Sequence, residues 1–333
     1  MRRAWLMGLA LLAWGRAGAE PALVEHVQRG EALAAQGQVA LAIGEYEKAL
    51  EEGAGSALVL NRLAAFYLQV GELEKANKTL RRSLQENPGQ PQVCFELART
   101  FQAIGQPDSA LPYAIQARDL APESSAIHTL VGLLQLEAGQ LQETRAALDR
   151  ALELDPRNPE AHRFLGVYYT RLDSLEPAIA QFQQVARILP EDLEAHNNIG
   201  FLLARQQRYD QALEAYERAR ELARDPELLR AIAINMEAVQ AIRAGKMRAR
   251  YILVDTQAQA REVLQRLQKG EDFEALAAQF SRAANGRDGG DTGFFGPGEL
   301  LEEFEKAVLQ LDKGQISEPL AVPLGVMVIQ RLN

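Results

Sequence analysis

Small residues return along this chain at a fixed interval. Gly30, Ala64, Ala98, Gly132, Gly166 and Gly200 are spaced by 34 positions. Ala42, Ala76, Ala110, Thr144, Ala178 and Ala212 repeat in the same register. So do Pro88, Pro122, Pro156 and Pro190, and the rings Tyr46, Phe182 and Tyr216 share a further phase. Six units in one phase predict a tandem array. Each unit holds two amphipathic stretches. In the fourth, residues 126–138 form the first, Gly139 and Gln140 the turn, and residues 142–154 the second. Asp155 and Pro156 end that second helix, because proline cannot continue a helix and disfavours helix in the residue before it. The small residues suit a close crossing of two helices, where bulk would hold them apart. Residues 227–246 add one more helix. Leu228, Leu229, Ile232, Met236, Val239 and Ile242 form its expected buried stripe, and it caps the open end of the stack.

After Lys246 the period stops and short strand patterns appear. Residues 248–254 are a strand candidate with Ile252, Leu253 and Val254 apolar. Thr256 is placed to cap a helix that runs to Lys269 and ends at Gly270. A second helix is predicted over 272–280. A loop over 281–291 follows, rich in residues that tolerate unusual dihedrals. Phe294 and Phe295 lie on a short strand, and 299–311 is helical. Residues 316–322 and 326–332 are strand candidates joined by a turn at Pro323, Leu324 and Gly325. The whole predicts a multidomain chain, an all-α solenoid followed by a small α+β domain.

Composition agrees with helical repeats: 333 residues, 47% apolar and only 6% aromatic. A net charge of -9, with no basic run, speaks against nucleic acid and against an anionic membrane surface. Residues 1–19 read as a secretory signal. Arg2 and Arg3 open it, residues 4–14 are apolar but too short to span a bilayer, and Ala17-Gly18-Ala19 offers a cleavage site before Glu20. The alternative is an uncleaved anchor. No other stretch predicts membrane insertion. Cys94 is the sole cysteine, so stability rests on packing and not on an intrachain disulfide. His26, His128, His162, His196 and Cys94 all fall at one repeat position. Neighbouring copies of one slot stand roughly 10 Å apart, whereas zinc gathers its ligands at about 2 Å from one centre. No metal site and no cofactor is expected.

The repeating pattern of small, Gly, Ala, aromatic, Ala and Pro positions resembles the tetratricopeptide repeat over residues 23–226. Stacked helix pairs of that kind make an extended concave surface that binds peptides or partner domains. The resemblance places Phe95, Arg99, Arg163, Arg171, Asn197, Phe201 and Arg205 on that groove. Arginine with scattered aromatics suits an extended peptide bearing carboxylates. The Lys/Asn pattern that clamps a peptide's C-terminal carboxylate is not visible.

Residues 247–333 resemble the parvulin family of peptidyl-prolyl isomerases. The matching residues are Ile252-Leu253-Val254, Asp272-Phe273 with Leu276-Ala277, Gly289-Gly290-Asp291 with Gly293 and Phe295, Phe304, Gly314 with Ile316-Ser317 and Pro319, and Gly325 with Val328-Ile329. The resemblance implies a site at the positions of Tyr251, Met327 and Ala283, and a proline-ring pocket from Leu300, Phe304, Val322 and Leu324. Family members usually carry histidine where Tyr251 and Met327 stand, and Cys or Asp near Ala283. From Met247 onward the chain has neither His nor Cys. Val322 and Leu324 replace positions that are often polar. The glycine-rich loop has no Lys-Ser/Thr pair for phosphate, so no nucleotide is expected.

Rotating a prolyl bond needs no proton transfer. Its barrier of about 18–20 kcal/mol comes from amide resonance. An enzyme lowers it by gripping the ring and favouring the twisted state. Tyr251 and Met327 are expected to pack against each other on neighbouring strands, an apolar contact worth about 0.3–1.5 kcal/mol. The resemblance implies a folding factor, and the leader together with the domain pairing implies export to the bacterial periplasm or exterior. The factor would hold proline-containing or unfolded clients with little catalysis while the repeats recruit a protein partner. The alternatives are an active isomerase to which the repeats deliver substrate, and a non-catalytic scaffold.

Overall fold

A computed structural model describes residues 21–333 apart from residue 54. The leader expected over residues 1–19 lies outside these residues. The chain divides into two compact units, Met1–Leu189 and Pro190–Asn333.

In the first unit, helices follow one another in antiparallel pairs: α1 (Pro21–Ala35) with α2 (Val39–Glu51), α3 (Ala57–Gln69) with α4 (Leu73–Glu86), α5 (Pro91–Ala103) with α6 (Pro107–Leu120), α7 (Ser125–Glu137) with α8 (Leu141–Leu154), and α9 (Pro159–Arg171) with α10 (Leu175–Ile188). The periodic small residues sit where the paired helices cross. A Cβ on Gly30 would stand 2.6 Å from the Tyr46 ring, one on Gly132 2.7 Å from Leu148, and one on Gly166 2.8 Å from Phe182. These gaps are too short for any side chain, so glycine there permits the crossing and the large residue opposite fills the space.

The turn inside each pair has one residue in the left-handed region. Gly37, Gly71, Gly105 and Gly139 hold it with φ of 72° to 77°. Asp173 takes the same slot at φ 55°, a conformation that an L side chain resists. Connections between pairs are tied by imidazole. His128 Nε2 lies 2.8 Å from the Pro122 carbonyl oxygen, and His162 Nε2 lies 3.1 Å from that of Pro156. The shared histidine slot thus holds the loops that Pro122 and Pro156 open.

The second unit begins with α11 (Leu193–Arg205) and α12 (Tyr209–Leu222), a pair of the same design: Gly200 faces Tyr216, Gln207 takes the turn at φ 62°, and His196 Nε2 lies 3.1 Å from the Pro190 oxygen. Helix α13 (Pro226–Arg243) follows. Ile232, Met236 and Val239 are buried in it, but Leu228 is 38% exposed. The first turn of α13, before the stripe meets its neighbour, is open to solvent.

Then come β1 (Met247–Val254), α14 (Gln257–Gln268), α15 (Phe273–Phe280), a 3₁₀ turn (Ala284–Asp288), β2 (Asp291–Phe295), α16 (Glu302–Leu309), β3 (Leu320–Val322) and β4 (Gly325–Arg331). The strands form one antiparallel sheet in the order β2-β1-β4-β3. Alternation along β1 and β4 sends side chains to opposite faces. Ile252, Val254, Val326 and Val328 pack on α14 and α15, while Ala249, Leu253, Met327 and Ile329 pack with Phe304 and Val308 of α16. Thr256 and Gln259 close a capping box at α14.

Two predicted elements are shorter than expected. The strand expected over 316–322 is regular only at Leu320–Val322, because Pro319 has no N–H for the ladder. Before it, Ile316 forms a lone bridge with Gln330, and Ser317 pairs with Ile329. The helix expected over 299–311 runs only Glu302–Leu309. Glu299 instead turns back to accept from the Gly296 N–H at 2.9 Å. Among the described residues no helix is long and apolar enough to cross a membrane.

Candidate functional site

Three elements of the C-terminal sheet and the loops around them gather the residues singled out by sequence. Tyr251 projects from β1 on the α16 side. Its cross-strand partner is Ile329, and Met327 is the partner of Leu253. Tyr251 and Met327 are therefore diagonal neighbours on one face, a separation that long side chains span. Both belong to one cluster with Phe304, Ala283 and Val322. The Tyr251 ring stands edge-on to Phe304 with centroids 5.6 Å apart, and Phe295 lies 5.8 Å from the same ring. Such edge contacts suit the quadrupoles of aromatic rings. Five of the seven named positions thus converge. The other two stand outside this cluster: Leu300 is 39% exposed and Leu324 56% exposed.

The frame around this cluster is polar and specific. The long loop must pass close beside β1. The carbonyl of Gly290, at φ 80°, accepts from the Tyr251 N–H at 3.0 Å, and a Cβ there would sit 2.2 Å from the Tyr251 oxygen. No residue but glycine fits that approach. At the start of the loop, Ser281 Oγ accepts from the Leu253 N–H at 3.2 Å and from the Ala283 N–H at 3.3 Å. Ser317 Oγ likewise accepts from the Ile329 N–H at 3.0 Å. The Arg282 guanidinium joins the Asp255 carboxylate to the Leu324 carbonyl, fixing the β3–β4 turn against the end of β1.

The loop that carries Leu300 is held from inside α16. Glu305 accepts from the Gly298 N–H at 2.9 Å and the Leu300 N–H at 2.8 Å, and these bonds hold its carboxyl below the usual range. On the far side, Arg248 pairs with Asp291 across β1 and β2. Burial raises the Asp291 carboxyl, but the Arg248 bonds, the Gly293 N–H and the nearby charge of Arg248 and Arg250 outweigh it, so the net shift is downward. Sequence reasoning named none of Ser281, Arg282, Ser317 and Glu305 as part of the site. The polar residues beside the turns were the available signal. Chemically the cluster offers an apolar bed with a phenol at its edge and no imidazole or thiol, since residues 247–333 contain neither His nor Cys.

The residues expected on the concave face of the repeats are engaged in different ways. In the first unit, Arg99 lies over the Phe95 ring at 5.7 Å and 3.6 Å from Glu96. Arg171 donates to the Leu136 carbonyl at 2.6 Å, so its guanidinium serves a helix end. Arg163 is half-buried and engaged. In the second unit, Arg205 lies over the Phe201 ring at 5.8 Å, with Phe201 itself 45% exposed. The Asn197 Oδ1 is buried without a hydrogen-bond partner.

Residues 249–333 match the family model of the PPIC-type PPIase domain. Residues 27–91, 95–143, 132–192 and 193–226 match tetratricopeptide-repeat models. Among curated relatives, the foldase protein PrsA of Geobacillus kaustophilus is 42% identical over 86 residues, 26% of this chain and 31% of that protein. The PrsA of Caldanaerobacter subterraneus is 45% identical over 85 residues, 25% of this chain and 28% of that protein. The chain therefore spans less than a third of the length of these relatives. Among solved structures, PilW, a type IV pilus biogenesis factor, superposes with a TM-score of 0.55 at 16% identity, covering 65% of this chain and 100% of that one. The pilF of Pseudomonas aeruginosa gives 0.53 at 17% identity, over 65% and 99%. Both are likenesses of fold alone.

Proposed function

The chain belongs to two families in succession, tetratricopeptide repeats over residues 27–226 and the PPIC-type PPIase domain over residues 249–333, and on that premise we propose that it is an exported protein-folding factor. In this reading the C-terminal domain holds proline-containing or unfolded segments, with prolyl isomerisation reduced or lost. The repeats recruit a protein partner. The foldase relatives support the folding role, and the leader pattern in residues 1–19 supports export to the periplasm or beyond.

One observation carries the proposal. Tyr251, Met327 and Ala283 occupy the slots where related domains are expected to carry His, His, and Cys or Asp, and they lie together in one apolar cluster around Phe304. Exchanging polar partners together for apolar ones leaves packing intact, whereas removing one alone would strand the other. Leu300 and Leu324 are exposed apolar residues of the segments beside that cluster, suited to extended apolar chain.

The test uses the full chain in two assays. Suppressed aggregation of an unfolded client, with no acceleration in a protease-coupled prolyl-peptide assay, is the expected result. Restoring imidazoles with Tyr251→His and Met327→His together is expected to raise turnover. Rapid isomerisation by the natural chain, lost in Leu300→Asp, would replace this reading with an active isomerase fed by the repeats. Inactivity in both assays would leave a scaffold.

A further inference from the structure

A cleft of about 780 Å³ opens where α2, α3 and α4 meet. Its floor is apolar: Leu50 of α2 and the buried Leu60, Leu63 and Tyr67 of α3. One wall is the outer side of α4, carrying Lys75, Lys78, Arg81 and Arg82. The inner side of α4 packs through Ala76, Leu80 and Ser83, so these four cations face out, and the exposed Glu74 and Glu86 of the same helix are not among the residues that line the cleft.

Only one of these four cations is paired with an acid. Lys75 lies 3.6 Å from Glu72 and over the Tyr67 ring at 5.6 Å. Lys78, Arg81 and Arg82 make no ion pair and no side-chain hydrogen bond among the described residues. Elsewhere in the first unit Arg145 pairs with Asp149 and Arg150 with Glu123. Three unpaired cations on two turns of one helix repel one another in a chain whose net charge is -9. The corresponding cleft between α12 and α13 has the opposite character. It is lined by Asp210, Glu214, Glu217 and Glu221, and its cations Arg218 and Arg243 are paired with Glu221 and Asp210.

We propose that the cleft of α2, α3 and α4 docks an acidic segment of a partner protein. Carboxylates of that segment meet Lys78, Arg81 and Arg82, and an apolar side chain sits on Leu50, Leu63 and Tyr67. The facing wall selects against other anionic partners. Glu47, which accepts from the Tyr67 hydroxyl at 2.5 Å, and the exposed Glu51 stand opposite the cations. A broad anionic surface such as a bilayer would meet both signs at once. A narrow segment lying along α4 meets only the positive one.

The probe is a short fluorescein-labelled peptide of glutamates with interspersed leucines, read by anisotropy on the full chain. Charge reversal by Lys78→Glu with Arg82→Glu, both at exposed positions, is expected to weaken binding by about tenfold or more and to flatten its salt dependence. A peptide with serine in place of leucine is expected to bind more weakly. Arg157→Glu, an exposed position between α8 and α9 and away from the cleft, is expected to leave affinity unchanged. Any of four results would overturn the proposal: no binding by the natural chain, no effect of the reversal, loss of binding in Arg157→Glu, or equal affinity for the leucine-free peptide. Capture of phosphatidylglycerol vesicles through the same cations in preference to the peptide would overturn it too.

Discussion

The repeats and the C-terminal sheet solve the same problem, bringing backbone close to a neighbour, in opposite ways. In the repeats each task recurs every 34 residues and different side chains perform it. The left-handed turn is held by glycine four times, then by Asp173 and Gln207. His128, His162 and His196 tie a proline carbonyl from one slot, but where Cys94 fills that slot Gln116 reaches the Pro88 carbonyl instead. In the sheet domain each task is performed once. Gly290 lets the long loop touch Tyr251, and the Phe304 ring of α16 contacts the rings of both Tyr251 and Phe295. Repetition gives tolerance, and a single-copy contact gives specificity together with fragility.

The comparison can be broken most severely at Phe304. Phe304→Ala removes a ring that is 3% exposed and is expected to cost about 3–5 kcal/mol. Hydrogen exchange should locate the loss in β1 and β4 and leave α1–α10 protected. Gly290→Ala comes next. Its Cβ meets backbone, which cannot swing aside, and it adds left-handed strain, for about 3 kcal/mol. In the repeats, Gly166→Ala meets only the Phe182 ring, so denaturant titration should give about 1–3 kcal/mol. A cost equal to that of Phe304→Ala would erase the contrast. Asp173→Gly and Gln207→Gly should act in the other direction. Each relieves left-handed strain and raises stability by up to about 1 kcal/mol, after subtracting the greater freedom of an unfolded glycine.

The smallest effect is one of pH. Glu305 has a lowered carboxyl value, so its contribution is complete above the ordinary glutamate value of 4.5 and is lost as pH falls through the lowered one. Amide exchange at Gly298 and Leu300 should accelerate in that acidic window. Glu305→Gln should show faster exchange already at neutral pH.

Much of the repeat architecture was legible because a period averages over six copies. No single residue had to be interpreted. What escaped was local. Neither Asp173 nor Gln207 marks a left-handed turn by its identity; only the phase shared with Gly139 reveals it. Leu228 fits the apolar stripe of α13 by spacing, yet spacing does not say where a helix begins to meet its neighbour. The sheet domain was legible through its resemblance, landmark by landmark, and there strand ends were the weak point. Pro319 and the backward-facing Glu299 cut short elements that apolar pattern alone extended. Tyr251, Met327 and Phe304 could be named from sequence because the pattern of family landmarks survives around them. The clasp formed by Ser281 and Arg282 could not, since hydroxyls and guanidinium groups look alike wherever they fall in a loop, and Ser317 was a landmark without a role.

The sheet ends on both sides in very short strands. β3 has three residues and is bracketed by Pro319 and Pro323, and β2 has five and breaks register beside β1. A protein that holds sticky, extended chains runs the hazard of templating them, because an open edge invites another strand to zip on. Blunt margins deny that invitation, so in the folding role proposed above a held chain would remain cargo and not become a fifth strand.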